Sequence, residues 1–467
     1  MENLDYLIID GKKRISIQPQ RMAVYLQSKI VETVDKNRDV YYLFFYKDEY
    51  LTALKAASVR RRSHLEKAFK HGMTFPSAHP FCHTVLSSEG TFQKRSFNQM
   101  HTKVQKQYTP HETALILTFF DAFIPKRKLF KDIQAYFYQY RRNGQLFAAY
   151  RILRILLDFT PKHSWVKQTA NELGYAKFKM MYQEMAGTLW EKDPLFVEKA
   201  LFARRKKHPE RAEELIDFLN KEERWIDALA LLMNQLIQTS SAAYYNQLQQ
   251  LLNNHYSHTD ILFILEDLYQ RIPNLELLQY ELLHFYLKYH HLNSSIQLMN
   301  KHQMSLKDEQ WSTLETMLEN MDVVSADIQV EELNSYLASL FKTQPRKAET
   351  ILQKCVTQLM ENRDLSYISN WLAPIKENYS QSLVVKRIEQ MKQLSDDPDK
   401  QRQLGELYYH FDQLDQAIEC FSWEMEMDKS DPLPVRWLSK IYLEAGKKEE
   451  SKAYQQLYRD MQKKANA

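Results

Sequence analysis

An all-α solenoid of helical hairpins, preceded by a small basic N-terminal module, is the fold class that this 467-residue chain predicts. Three observations carry that expectation. Only 8 glycines and 14 prolines occur, well below the usual shares of about 7% and 5%, so chain breakers are scarce and long helices with short connections are favoured. Near the C-terminus a pattern of bulky and small residues returns at a fixed interval, with Tyr408 and Tyr442 34 apart and Ala417 and Ser451 also 34 apart. Charge is uneven as well. Residues 51–150 hold 16 Lys and Arg against 5 Asp and Glu, net +11, while residues 251–350 hold 7 against 14, net −7. Acidic partners are therefore expected for one part of the chain and not for the other.

Residues 1–110 read as the basic module. Tyr6–Ile9, then Asp10-Gly11, then Arg14–Ile17 have the form of a β-hairpin with a type I′ turn. So short a stretch equally allows an irregular N-terminal arm. Residues 20–36 and 48–70 predict amphipathic helices, the second placing Leu51, Leu54, Leu65 and Phe69 on one side. Residues 71–110 contain Gly72, Pro76, Pro80 and Gly90 without a clean period, and predict the longest irregular segment of the chain.

From residue 111 to 400 the pattern predicts degenerate helical hairpins. Pro125 opens a helix running to Arg142, with Ile133, Tyr136, Phe137 and Tyr140 on its buried side; Asn143-Gly144 turns the chain. Ala149, Leu153 and Leu156 then face back, and Pro161 ends the second helix. Weaker hairpins join Leu215–Leu219 to Trp225 and Ala228, Leu282–Tyr286 to Ser295 and Met299, and Tyr336–Phe341 through Gln344-Pro345 to Ala348 and Leu352. The small residues at 149, 228, 295, 348, 417 and 451 are spaced by 79, 67, 53, 69 and 34, so the repeats are interrupted.

Residues 401–467 carry the clearest pair of hairpins. Leu404, Gly405, Tyr408, Ala417 and Phe421 mark the first, and Leu438, Ser439, Tyr442, Gly446 and Ser451 the second. Two helices approach closely only where side chains are small, and bulky neighbours fill the adjoining space. This 34-residue helix–turn–helix period resembles the tetratricopeptide repeat (TPR), and residues 130–161 share part of it. The resemblance implies a right-handed stack with a concave groove, hence a non-enzymatic scaffold or adaptor for a protein or peptide. It also implies groove positions at Lys131, Gln134, Tyr138, Arg141 and Arg142, and at Arg402, Glu406, Tyr409, His410, Arg436, Lys440 and Leu443. Glu406 would repel a partner's terminal carboxylate, so a chaperone-tail clamp is disfavoured. A peptide-sensing receptor is an alternative role, weakened by the lack of an evident helix-turn-helix at the N-terminus.

A second alternative is an RNA- or ribosome-associated factor. Arg60, Arg61, Arg62, Lys94, Arg95, Lys126, Arg127 and Lys128 form a basic patch in the sequence, interleaved with Phe92, Phe97 and Tyr108. Phosphates would need that charge, and bases could stack on the rings. The three consecutive arginines fall late in the predicted 48–70 helix, where they also complement its dipole. His79-x-x-Cys82-His83 is the one metal-like cluster, but no second ligand pair stands at zinc spacing, so no metal is expected. No glycine-rich phosphate loop and no nucleophile–base pairing is present, so neither cofactor nor enzyme activity is expected. The apolar stretch around Ala114–Ile124 is too short to span a bilayer, and residues 1–5 lack the basic, apolar start of a leader. Three distant cysteines, Cys82, Cys355 and Cys420, fit a reducing, cytoplasmic setting.

Overall fold

The computed structural model describes residues 6–56, 59–87, 90–184, 187–304, 306–319 and 330–465, so the first five residues, read above for a leader, lie outside it. The chain divides into two compact units, Met1–Leu277 and Leu278–Ala467.

The first unit begins with seven strands. β1 (Tyr6–Asp10), β2 (Lys13–Tyr25), β3 (Ser28–Asp35), β4 (Val40–Tyr46) and β5 (Glu49–Lys55) form an antiparallel meander. β6 (Met73–Pro76) pairs with β2, and β7 (Thr91–Gln93) runs parallel to β1. The sheet order β5-β4-β3-β2-β1-β7 brings its two ends together. The Tyr50 hydroxyl donates to the Gln93 carbonyl at 2.9 Å, and Arg95 N–H donates to Thr52 Oγ1 at 3.0 Å. These bonds nearly close the sheet into a barrel, which covers the unpaired strand edges.

The expected hairpin at residues 6–17 is there, but it is only the first rung. Its turn is Gly11-Lys12, and only Gly11 has positive φ, +62°, so the pattern is that of a II′ turn rather than I′. The helix expected at 20–36 is instead parts of β2 and β3, and the helix expected at 48–70 is β5 followed by a turn and α1 (His64–His71). The physical reason is burial on both faces. Tyr42, Phe44 and Tyr46 of β4 pack against Phe69, Phe123, Phe120 and Tyr108, whereas Phe45 meets Tyr50 and Phe92. A strand covered on both sides loses the polar–apolar alternation that marks a strand in sequence. Residues 71–110 are not irregular either: they hold β6, α2 (Pro80–Ser87), β7 and α3 (Phe97–Gln107).

From α4 (Pro110–Thr118) onward, every described element is a helix. α5 (Lys126–Arg142) and α6 (Leu146–Phe159) form the first hairpin, and Pro209–Lys221 with Trp225–Thr239 another. Further on come Glu276–Lys288, whose first two residues close the first unit, with Leu292–His302, then Val330–Thr343 with Pro345–Met360, Gln401–His410 with Leu414–Met427, and Pro432–Glu444 with Lys448–Ala465. Five of these six hairpins share one connection. Its middle residue is left-handed: Gly144 (φ +71°), Glu223 (+58°), His290 (+59°), Asp412 (+55°) or Gly446 (+76°). In each, the next residue's N–H returns to a carbonyl in the first helix, at Tyr140, Leu219, Tyr286, Tyr408 and Tyr442. That same residue's carbonyl then accepts from Ala149, Ala228, Ser295, Ala417 or Ser451. The small residues seen in sequence are thus fixed by the turn one helical turn inside the second helix, and all five are buried.

The irregular spacing has a structural cause. Three short helices, Ser164–Ala170, Ala176–Gln183 and Leu189–Lys192, lie between Ala149 and Ala228 and stretch that interval. Ala348 follows the Gln344-Pro345 connection, which has no left-handed residue among the described ones.

The barrel is fastened to helices of its own unit by a buried polar network. Lys29 of β3 is fully buried, and its Nζ donates to Asp227 Oδ2 and to the Lys47 carbonyl at 2.9 Å each. Arg224 reaches Glu198 at 2.7 Å, Asp227 at 2.9 Å and the carbonyl of Leu26 at 2.9 Å. Leu26, at φ +51°, sits in the tight β2–β3 turn. A branched residue in that conformation persists where its surroundings over-determine it.

Candidate partner-binding groove

The last hairpin presents the groove. Pro432–Glu444 starts from Asp431, whose carboxylate accepts the Leu433 N–H at 2.9 Å and the Arg402 guanidinium at 2.9 Å. Apolar residues at every third position bury Val435, Leu438 and Ile441, the last two in one cluster with Ala417 and Phe421. Trp437 stacks flat on Phe421, with centroids 5.3 Å apart and an interplanar angle of 8°. Ser439 and Ser451 exchange side-chain-to-backbone hydrogen bonds at 3.3 and 2.8 Å, which holds the two helices close.

The opposite stripe remains open. Leu433, Trp437 and Leu443 form the apolar wall of a cavity of about 660 Å³. Arg436, Lys440, Lys448 and Lys452 surround it, and no carboxylate is among its lining residues. Leu433 is 43% exposed and Leu443 59% exposed. Lys440 stands 4.4 Å from the ring centre of Tyr409 and 5.0 Å from that of Trp437, a cation–π arrangement that keeps it charged and aimed. The Tyr409 hydroxyl donates to Glu444 at 2.9 Å. Lys452 pairs with Glu449 at 3.2 Å, but both side chains are largely exposed and such a pair contributes little.

Of the C-terminal residues that sequence pointed to, Arg436, Lys440 and Leu443 line this groove, and Tyr409 supports it through Lys440. Arg402 is committed to the Asp431 cap. His410 contacts Arg387, and burial first and then that guanidinium hold its ring below the usual histidine range. Lys448 and Lys452 were not singled out in sequence. Their spacing with Gln455, one face of the Lys448–Ala465 helix, was the available signal.

The second expected set lies in the first unit. Tyr138, 40% exposed, packs on Phe137 and Trp165; Arg141 pairs with Glu172 at 3.1 Å, and Arg142 donates to the Tyr138 carbonyl at 3.3 Å. Lys131 is exposed and Gln134 half-buried.

The sequence's basic patch is distributed among local partners. Arg60 donates to the Asp121 carbonyl at 3.1 Å, and Lys126 pairs with the Asp121 carboxylate at 3.4 Å. Lys94 pairs with Asp10 at 2.6 Å, Arg95 donates to the Leu51 carbonyl at 2.9 Å, and Lys128 covers the Phe97 ring at 4.7 Å. Arg61, Arg62 and Arg127 have exposed side chains. The three arginines at 60–62 precede α1 rather than ending a helix, so the dipole argument for them does not hold.

His79 and Cys82 are both buried. His79 Nδ1 accepts from the Phe81 N–H at 3.2 Å and its Nε2 faces Asp267 at 4.0 Å. His83 Nδ1 lies 3.3 Å from the Tyr6 hydroxyl.

The fold and groove define a helix-rich, hairpin-built protein with a barrel-like N-terminal sheet, and none of its described helices is long and apolar enough to cross a membrane. No protein-family model and no curated protein matches the chain. Among solved structures it is similar to a chain titled "Structure of Naa15/Naa10 bound to HypK-THB", at 12% identity and a TM-score of 0.20 over 78% of this chain. It spans 60% of that chain's length. It is also similar to a monomeric mutant of IFIT1 with Gppp-AAAA, at 13% identity and a TM-score of 0.18, over 81% of this chain and 89% of that one. At these scores neither likeness carries an argument about function.

Proposed function

We propose that the chain is a non-enzymatic, cytoplasmic TPR-like scaffold that holds an acidic, partly apolar segment of a partner protein in the groove at 432–455. The observation that carries this reading is the four cations around an apolar wall with no lining carboxylate. Opposite charge draws the segment in and sets its register, while Leu433, Trp437 and Leu443 supply area to bury. The three cysteines support a reducing setting, being unpaired and buried, with burial pushing Cys82 and Cys355 up to about 12 and Cys420 up to about 11. The scattering of the basic N-terminal residues among local partners favours a protein ligand over RNA.

Selection of a random peptide library on the full-length chain tests the reading, with Arg436→Glu/Lys440→Glu as counter-target. Both residues are exposed, so the variant should fold. Peptides rich in Asp and Glu beside apolar residues, lost on the variant, are expected. Peptides without acidic bias, or recovered equally on both proteins, would sink it.

A further inference from the structure

A second cavity, of about 160 Å³, lies within the first unit, far in sequence from the groove. The β2–β3 turn at Tyr25–Gln27 forms one side, His64 and Lys67 of α1 another, and His111, Leu115 and Thr118 of α4 a third. Arg151 and Arg154 of α6 form its floor, closed by Phe196 and Lys199 of the Pro194–Arg204 helix. Its volume is comparable to the roughly 150 Å³ of a cavity that admits benzene, so a small molecule fits.

Its charges do not cancel. Asp158 is taken by Lys199 at 2.5 Å, and Asp121 by Lys126 and the His64 N–H. That leaves Lys67, Arg151 and Arg154 against Asp193. Asp193 already accepts from the Tyr182 hydroxyl at 2.5 Å and the Phe196 N–H at 3.1 Å. Among the described residues, neither arginine has a carboxylate within ion-pair distance. Arg154 lies over the rings of Tyr182 and Phe196 at 5.5 and 5.1 Å, and Arg151 contacts His111 Nδ1. A ring that accepts from a guanidinium is neutral and offsets none of its charge. The Nε of both arginines is buried without a hydrogen-bond partner. Two half-buried guanidinia one turn apart, sharing the field of the single Asp193 carboxylate without a direct ion pair to it, are favoured when a further anion joins them.

From this juxtaposition we propose that the cavity binds a small phosphate monoester, its phosphate on Arg151 and Arg154 with Lys67 at the rim. A monoester carries about −1.5 to −2 charges at neutral pH, which matches the excess. Arginine forks suit its oxygens, and the aromatic walls of Tyr25, Phe119 and Phe196 cover its carbon body.

Thermal melting of the full-length protein tests this with glycerol 3-phosphate, inorganic phosphate and glycerol, each at about 10 mM. The monoester should raise the melting temperature by about 2 °C or more, inorganic phosphate less, and glycerol not at all. Arg154→Gln should weaken monoester binding about tenfold or more. Lys67→Gln, at an exposed position on α1, should weaken it less while leaving the fold intact. Should Arg154→Gln fail to fold, dicarbonyl labelling of the wild type decides, because bound monoester should protect Arg151 and Arg154. A monoester that neither stabilises the protein nor protects either arginine overturns the proposal. So does stabilisation that survives in Arg154→Gln, and so does an equal effect of glycerol.

Discussion

Gly405 leaves almost no room for a side chain. A Cβ there would stand 3.0 Å from Phe421 Cε2 and 3.1 Å from Cys420 Cβ, so the close contact of Gly405 falls one turn beyond the small Ala417. Gly405→Leu should force the Gln401–His410 and Leu414–Met427 helices apart and cost about 1–3 kcal/mol. An unchanged melting temperature would count heavily against that packing. Buried histidines make a second test at this scale. Desolvation holds His64, His79 and His111 at about 3, against 6.5 for the free side chain. When unfolded, these rings take up protons as pH falls through about 6.5; folded, they stay neutral down to about 3. The unfolded state therefore binds more protons in that window, and stability is lost as pH drops, by up to about 1.4 kcal/mol per pH unit for each ring. The urea midpoint should be clearly lower at pH 5 than at pH 7, and equal midpoints would contradict the buried, neutral assignment. The burial of His79 was not legible beforehand, because it stands among Pro76, Pro80 and Gly72, which read as loop.

At the scale of elements, the hairpins were legible because their small residues must be small, whatever the loop sequence. Their shared turn was not. Glycine marks it at Gly144 and Gly446, but Glu223, His290 and Asp412 adopt the same left-handed conformation, which for L-residues costs about 1–2 kcal/mol. Glu223→Gly should relieve part of that strain and raise the melting temperature, a change that differential scanning calorimetry would read; a lower value would contradict the strain. The barrel was missed for a different reason. The end of β2 at Met22–Val24 and the first half of β3 are buried on both faces, so the polar–apolar alternation of a strand is lost there, and the hairpin at 6–17 alone kept a turn signal. Beside its aromatic contacts, the barrel is held to its helices by a buried polar network. Arg224→Met would leave Glu198 and Asp227 buried with less compensation, and a loss of about 3–5 kcal/mol in denaturant titration is expected. A loss under about 1 kcal/mol would mean that the network is not the fastening.

At the scale of the whole chain, the charge imbalance was plain in sequence, but its use was not. Residues 51–150 hold a net +11, yet five of the eight basic residues singled out there engage nearby groups. The C-terminal groove concentrates its four cations around exposed leucines instead, and two of them, Lys448 and Lys452, were not among the residues that sequence singled out. The proposal assigns the ligand to the groove's own cations, so a charge reversal at residues 126–128 should leave that ligand alone. The decisive measurement is the affinity of a selected acidic peptide for three full-length proteins, read by fluorescence anisotropy. These are the wild type, Lys126→Glu/Arg127→Glu/Lys128→Glu, and Arg436→Glu/Lys440→Glu. An unchanged Kd for the triple variant and a Kd raised about tenfold or more for the groove variant are predicted; equal losses in both, or none in the groove variant, would contradict the account.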